Sequence, residues 1–269
     1  LINGLPDPTA SEIAFGSNIE RVEVLKGPAS VLFGQGGLGG SVNLVTKQPL
    51  PDPFYSVEAS AGSYNLYRGA IDLSGPLNES KTVLYRLNAS AQTRESFIDF
   101  YEHRDYLIAP SLAFQLGDKT KLTLAAEYLL SEGTYDFGLP PRGSVLPNPN
   151  GRIPRNRFVS EPDFNQVSNE VFRIGYDLEH RFSEDWQARS VFRTSLFRLR
   201  RDTVFPLAFQ SDGRTLNRGQ EDDTEYDANT YNLDNYIVGN FATGNTKHQL
   251  VAGFNLRRTD IDYKSNLSL

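Results

Sequence analysis

Hydrophobic and polar residues alternate along most of the chain from Phe54 onward. For example, Val83 and Tyr85 would lie on one face of an extended segment, and Arg86 and Asn88 on the other. An alternation with a period of two residues predicts a β-strand that has one apolar and one polar face. The pattern recurs about nine times in segments of roughly ten residues, the length that a tilted strand needs to cross a bilayer. The sequence therefore predicts a mainly β fold with about nine antiparallel strands.

The connections between the predicted strands also follow a pattern. The short connections are residues 76–81, 117–120, 181–185 and 243–247, and the long ones are residues 93–105, 131–166 and 199–228. Alternation alone also fits a soluble β-sandwich, because a sandwich would bury the apolar face. Short turns at one end of the strands and long loops at the other are typical of outer-membrane β-barrels. The connection lengths therefore favour a barrel. Nine strands, an odd number, would leave open edges, and open edges cannot face lipid. We therefore expect that this barrel is incomplete and that further strands belong to it.

Composition narrows the class of protein further. The chain has 269 residues, a formal net charge of −6, and neither cysteine nor methionine. The lack of cysteine excludes disulfides and thiolate metal sites, and the acidic balance argues against a nucleic-acid surface. The chain contains no run of about 18 apolar residues, so the sequence predicts no transmembrane helix. Because the chain does not begin with Met and shows no signal peptide, we expect an internal fragment of a longer protein.

A glycine-rich segment precedes the alternating region. Residues 19–25 predict a strand, residues 29–33 predict a single helical turn, and residues 41–46 predict a second strand. Gly34, Gly36 and Gly39 satisfy the spacing of the dinucleotide-binding motif. That motif needs a helix after the glycines, whose N-terminus holds the pyrophosphate. Here a strand follows, so the sequence argues against a nucleotide site.

Residues 19–49 resemble the end of the plug domain of TonB-dependent outer-membrane receptors. The plug-motif residues are Arg21, Glu23, Gly27, Pro28, Gly34, Gly39 and Gly40. The resemblance implies that residues 1–49 form the C-terminal part of an α+β plug. It also implies that residues 50–269 form the first part of a transmembrane barrel, which has 22 strands in this family.

The long connection at residues 131–166 resembles the ligand-binding loop of ferrichrome-type siderophore receptors. By this resemblance, Tyr135 and Phe137 are candidate contacts for a ferric siderophore. They would supply apolar packing and a phenol hydrogen bond. An alternative is that both aromatic residues only pack the loop against the barrel wall.

The resemblance implies import of a ferric siderophore, of the hydroxamate, ferrichrome-like type, across a bacterial outer membrane. TonB and its inner-membrane complex would be partners, together with outer-membrane lipid and lipopolysaccharide, while no bound cofactor and no nucleic acid are expected. Receptors for haem, cobalamin or another chelate are alternatives, and a passive porin is disfavoured by the plug segment. His103, His180 and His248 share no metal-ligand spacing, and no catalytic arrangement occurs, so we expect no enzyme.

Charged residues suggest two further features. Five arginines on the polar strand faces are predicted to point inward: Arg68, Arg86, Arg173, Arg189 and Arg193. Two roles are open for them: guiding anionic chelates, or pairing with plug carboxylates such as Glu20 and Glu23. Pairing is favoured because inward charges need partners in a filled lumen. The acidic run at residues 221–225 predicts a solvated loop, because it lacks the spacing of a calcium site.

Overall fold

The structure is a computed structural model that describes residues 1–7, 9, 16–27 and 39–268. These residues form eleven strands, whose bounds are as follows: β1 Ile19–Lys26, β2 Gly40–Thr46, β3 Phe54–Gly62, β4 Leu66–Pro76, β5 Val83–Glu95, β6 Glu102–Leu116, β7 Thr120–Thr134, β8 Gln166–Arg181, β9 Trp186–Phe209, β10 Leu216–Thr243 and β11 Thr246–Ser268. In the described part of the chain, no helix is long and apolar enough to cross a membrane.

The first two strands form a separate antiparallel sheet. Both strands predicted in residues 19–46 are therefore confirmed. Gly40 has a positive φ of 131°, and a Cβ at this position would collide with the carbonyl oxygen of Leu25. Only glycine combines this backbone conformation with such a close approach of the paired strand. Pro28, Gly34 and the predicted helical turn at residues 29–33 lie outside the described residues.

The other nine strands, β3 to β11, form one antiparallel sheet in which every strand pairs with its neighbours in sequence. This confirms the predicted number of strands. Up-and-down order is the arrangement that tight turns between successive strands permit. Several of these turns contain residues with a positive φ, such as Gly117 and Gly244. The described sheet is not closed, since β3 and β11 each pair on one side only.

In the large sheet, apolar side chains are exposed and polar side chains are buried, which is the reverse of a soluble protein. Phe172 and Arg173 are neighbours on β8, yet the phenyl residue is 38% exposed and the arginine side chain is 4% exposed. The same inversion places Ile108 and Ile174 on the exposed face, while Asn232 is buried on the other face. A soluble sandwich would bury the apolar face, so this alternative is wrong. Apolar residues outside and polar residues inside are the pattern of a membrane barrel.

One long connection was predicted incorrectly. Residues 199–228 are not a loop, because β9 continues to Phe209 and β10 begins at Leu216. Backbone pairing continues through this region, with Thr203 opposite Glu221. The polar residues that suggested a loop lie on strands that extend beyond the apolar belt, where both faces tolerate charge. The acidic run at residues 221–225 is likewise part of β10 and not a solvated loop.

Candidate functional site

The inner face of the barrel wall contains an apolar row that runs across neighbouring strands. Its members are directly opposite one another in register on β6 to β10 and are all buried: Leu107, Leu129, Val171, Phe197 and Ala228. Leu199 and Tyr226 pack against this row. The row separates two polar layers, one toward the plug and one toward the long loops.

An aromatic cluster lies on the loop side of the apolar row. The rings of Tyr135 and Phe137 are 4.8 Å apart in an edge-to-face arrangement, and Phe137 lies 5.5 Å from the ring of Phe205. Phe137 is 41% exposed, so part of the cluster is accessible from the lumen. The structure thus brings together the two residues that the sequence predicts as ligand contacts. It adds Phe205 of β9, for which the sequence shows no signal.

A charged pair borders the aromatic cluster. The guanidinium carbon of Arg201 lies 5.0 Å from the centre of the Tyr135 ring. Its Nη2 donates a 2.8 Å hydrogen bond to Glu221, which also accepts hydrogen bonds from Tyr263 and Ser265. Glu221 therefore ties β9, β10 and β11 together and fixes Arg201 against the aromatic ring. The only sequence signal for this pair was the inward alternation of β9, which continues through residue 201.

Hydrogen bonds hold the loop of residues 135–165 in place. Asn165 donates to the carbonyl oxygens of Tyr135 and Val204 at 3.2 and 2.9 Å, and its Oδ1 accepts from the Val204 amide at 2.8 Å. At the tip, Asn148 donates to the Gly213 carbonyl at 3.0 Å. The loop is therefore fastened at its base and at its tip to the long β9–β10 hairpin, so Tyr135 is held by both elements.

A polar cluster lies on the plug side of the apolar row. Asp7 of the plug accepts a 2.8 Å hydrogen bond from Arg173 of β8 and a 2.9 Å hydrogen bond from Ser195 of β9. Arg173 also donates to Thr9 of the plug and to Glu127 of β7. The cluster joins one plug segment to three barrel strands.

The charge of Arg173 decides the ionisation of Asp7. The carboxyl of Asp7 has no exposed surface, and this burial alone would raise its pKa. The positive charge of Arg173, with hydrogen bonds from Arg173 and Thr9, outweighs burial and lowers the pKa to about 2. Asp7 is therefore ionised at neutral pH and forms a buried ion pair between plug and barrel.

The predicted pairing of inward arginines with plug carboxylates is confirmed for Arg173, but its plug partner is Asp7. In the described contacts, Glu20 and Glu23 are not partners of these arginines. Glu23 bonds within the plug, to Arg21 and Asn43. Most of the inward arginines instead pair with barrel carboxylates: Arg68 with Glu58, Arg86 with Asp72, and Arg189 with Asp177. The sequence could not identify Asp7, because residues 1–18 have no alternation that fixes which side chains face the wall.

Arg193 has a different environment from the other inward arginines. It donates a 2.6 Å hydrogen bond to the backbone carbonyl of Ile2 in the plug. Its Nη1 is buried and has no hydrogen-bond partner. Among the described residues, no carboxylate forms an ion pair with it. Among the described plug residues, the hydrogen-bond partner of this side chain is therefore a neutral carbonyl group.

The described residues contain no group of three or more His, Cys, Asp or Glu side chains placed to hold a metal ion. Thr120 bonds to His180 at 2.8 Å, and His103 bonds to the Thr134 carbonyl at 3.0 Å. These histidines thus make structural contacts at opposite ends of the strands. The candidate site is therefore the aromatic cluster with its charged pair.

Comparison with known families agrees with this architecture. The family model "TonB-dependent Receptor Plug Domain" matches residues 1–41, and "TonB dependent receptor-like, beta-barrel" matches residues 109–268. The chain belongs to the TonB-dependent receptors, a family of bacterial outer-membrane proteins that are transport receptors and not enzymes.

Individual relatives carry several ligand names. The chain is 37% identical over 244 residues to the metal-pseudopaline receptor CntO of Pseudomonas aeruginosa, covering 90% of this chain and 34% of the relative. It is 32% identical to the ferrioxamine B receptor of Salmonella typhimurium, covering 87% and 33%. The ferrichrome outer membrane transporter/phage receptor of Escherichia coli is 28% identical, covering 89% and 34%. The chain thus spans about a third of the length of these relatives.

Solved structures show the same fold. The crystal structure of the ferripyoverdine receptor of Pseudomonas aeruginosa, bound to ferripyoverdine, superposes with a TM-score of 0.88 at 25% identity. The superposition covers 98% of this chain and 36% of that receptor. This chain therefore corresponds to a consecutive section of a receptor barrel together with part of its plug.

Proposed function

We propose that the receptor containing this chain binds a ferric siderophore or a related metal chelate at the outer mouth of the barrel and imports it. The observation that carries the proposal is the cluster of Tyr135, Phe137 and Phe205 between the apolar row and the long loop. A metal chelate presents a large surface of mixed polarity, and aromatic rings bind such a surface with little loss of side-chain entropy.

Within this class, we propose a chelate of the hydroxamate, ferrichrome-like type. The loop around Tyr135 supports this choice, as do the names of relatives that bind ferrioxamine B and ferrichrome. A relative named for metal-pseudopaline supports only the wider class of metal chelates. Haem and cobalamin are the ligands to compare in the same assay.

Energy for import would come from TonB and its inner-membrane complex, acting on the plug. Outer-membrane lipid and lipopolysaccharide would surround the exposed apolar face. We further propose that the plug ends at residue 49 and the barrel begins at residue 50. The first barrel strand starts at Phe54 and the last described plug strand ends at Thr46, which supports a boundary in the proline-containing linker between them.

Calorimetric titration of the complete receptor in detergent tests the ligand site. Ferrichrome and ferrioxamine B are the probes, with haem and cobalamin in parallel titrations. We expect saturable binding of a ferric hydroxamate, weakened at least about tenfold by Phe137→Ala or Tyr135→Ala, since each removes an aromatic ring from the proposed contact surface.

A matched control is Phe172→Leu, which alters an aromatic residue on the lipid-facing side of β8 and should leave affinity unchanged. Each variant is checked for heat-modifiable migration, which reports an intact barrel. Full affinity in both loop variants would contradict the proposed site. Binding of haem or cobalamin alone would contradict the proposed ligand class.

A further inference from the structure

Arg201 has unused hydrogen-bonding capacity at the edge of the aromatic cluster. A guanidinium group carries five N–H donors, and Nη2 of Arg201 gives one of them to Glu221. Nε is buried without a partner, and in the part of the chain that the structure describes, no hydrogen bond from Nη1 is found. The side chain as a whole retains 21% exposure, so it is not sealed from solvent.

The neighbours of Arg201 fix it in position without using up its donors. Glu221 holds one edge of the guanidinium, while the Tyr135 ring covers its face at 5.0 Å. Glu221 is itself engaged by Tyr263 at 3.0 Å and Ser265 at 2.8 Å. A guanidinium whose position is already fixed loses little further entropy when it binds a ligand.

The residues beside the free edge of the Arg201 guanidinium favour a ligand that places an oxygen atom next to an apolar group. The tip of the Phe205 ring lies against Gly219 of β10, where a Cβ would collide with it. Phe205 is therefore held beside Phe137, at 5.5 Å between ring centres. Asp136, the adjacent loop carboxylate, accepts a 3.1 Å hydrogen bond from the Gly138 amide. Asp136 forms no ion pair with Arg201 among the described contacts.

We propose that Arg201 selects chelates that carry a peripheral carboxylate, with the aromatic cluster packing against the rest of the chelate. The inference rests on the proposed function and narrows its substrate class. Hydrogen bonds from a guanidinium to a carboxylate are roughly twice as strong as those between neutral groups. An anionic chelate therefore gains more from Arg201 than a neutral chelate of the same shape.

A matched pair of probes isolates the carboxylate. Desferrioxamine B can be acylated on its terminal amine to give an N-succinyl form, which ends in a carboxylate, and an N-acetyl form, which is neutral. Their ferric complexes share the metal centre and the backbone. We expect the complete receptor to bind the succinyl complex at least about tenfold more tightly, and Arg201→Gln to abolish most of this preference by weakening the succinyl complex alone.

Arg198→Gln is the matched control, because Arg198 lies on the same strand but faces outward, paired with Asp227 at 3.0 Å. It removes the same charge and should preserve the preference. Arg201→Lys should retain part of the preference for the succinyl complex. The lysine ammonium keeps the positive charge but lacks the planar, two-pronged hydrogen-bonding geometry of a guanidinium. Equal affinity for the two complexes in wild type, or an unchanged preference in Arg201→Gln, overturns this inference alone. If wild type binds neither complex, the inference is overturned, and the ferrichrome titration described above decides the hydroxamate class separately.

Discussion

The ion pair between Asp7 and Arg173 should control how firmly the first plug segment is docked. Asp7→Asn keeps the shape of the side chain and removes its charge. The pKa of Asp7 lies at about 2 instead of 3.8, and a difference of this size corresponds to roughly 2 kcal/mol of favourable interaction with the ionised form. Arg173 retains Glu127 in the variant, so the charge of Arg173 does not become uncompensated and a larger loss is not expected.

Hydrogen exchange of residues 1–7 in the complete receptor measures this effect. A loss of about 2 kcal/mol should speed the exchange that needs undocking by about thirtyfold. Asp52→Asn is the control, because Asp52 forms an exposed pair with Lys81 and such pairs contribute little. Exchange rates within threefold of wild type in Asp7→Asn would refute the assignment of this ion pair as a docking contact.

The same reasoning fixes the direction of the pH dependence. The pKa of Asp7 is lowered in the docked state, so its contribution is fully present above its ordinary pKa and is lost as the pH falls toward about 2. After correction for intrinsic exchange rates, wild type should approach the Asp7→Asn variant between about pH 4 and pH 2. A constant difference between the two proteins across that range would contradict the ionisation assigned to Asp7.

Three further substitutions test local contacts. Gly40→Ala should cost about 1–3 kcal/mol and increase exchange in β1 and β2, because the new methyl group collides with the Leu25 carbonyl. Gly175→Ala should lower the temperature of heat modification, since its Cβ would meet the Phe192 carbonyl of β9. Asn165→Ala leaves the Val204 amide without its partner, at about 1–3 kcal/mol, and should speed tryptic cleavage in the loop of residues 135–165, with unchanged cleavage refuting the fastening role.

The sequence was sufficient for the strands but not for their full length. Alternation identified nine barrel strands because each strand separates lipid from lumen, and a period of two cannot be mistaken for a helix. It failed beyond Leu199, where the outward face carries Arg200, Asp202 and Glu225 instead of apolar residues. Above the lipid, both faces of a strand tolerate charge, so the contrast that marks a strand disappears while the backbone pairing continues.

The candidate site could be predicted only in part for a related reason. Tyr135 and Phe137 were found through resemblance to a loop. Arg201, Phe205 and Glu221 lie between 64 and 86 residues further along the chain but are adjacent in space. Their proximity depends on the register between β9 and β10 and on the docking of the loop by Asn165. Neither quantity is encoded in a local pattern, since register is a property of two strands together.

The polar inner face explains why plug and barrel form one structural unit. A wall that buries Arg173, Ser195 and Asn232 must supply each of them with hydrogen-bond partners. The plug provides these partners through Asp7 and through the Pro6 carbonyl, which accepts a 3.1 Å hydrogen bond from Asn232. These contacts are hydrogen bonds and ion pairs, which water can replace one at a time, unlike the packing of an apolar core. The plug can therefore exchange these contacts for water singly if it moves during the proposed import.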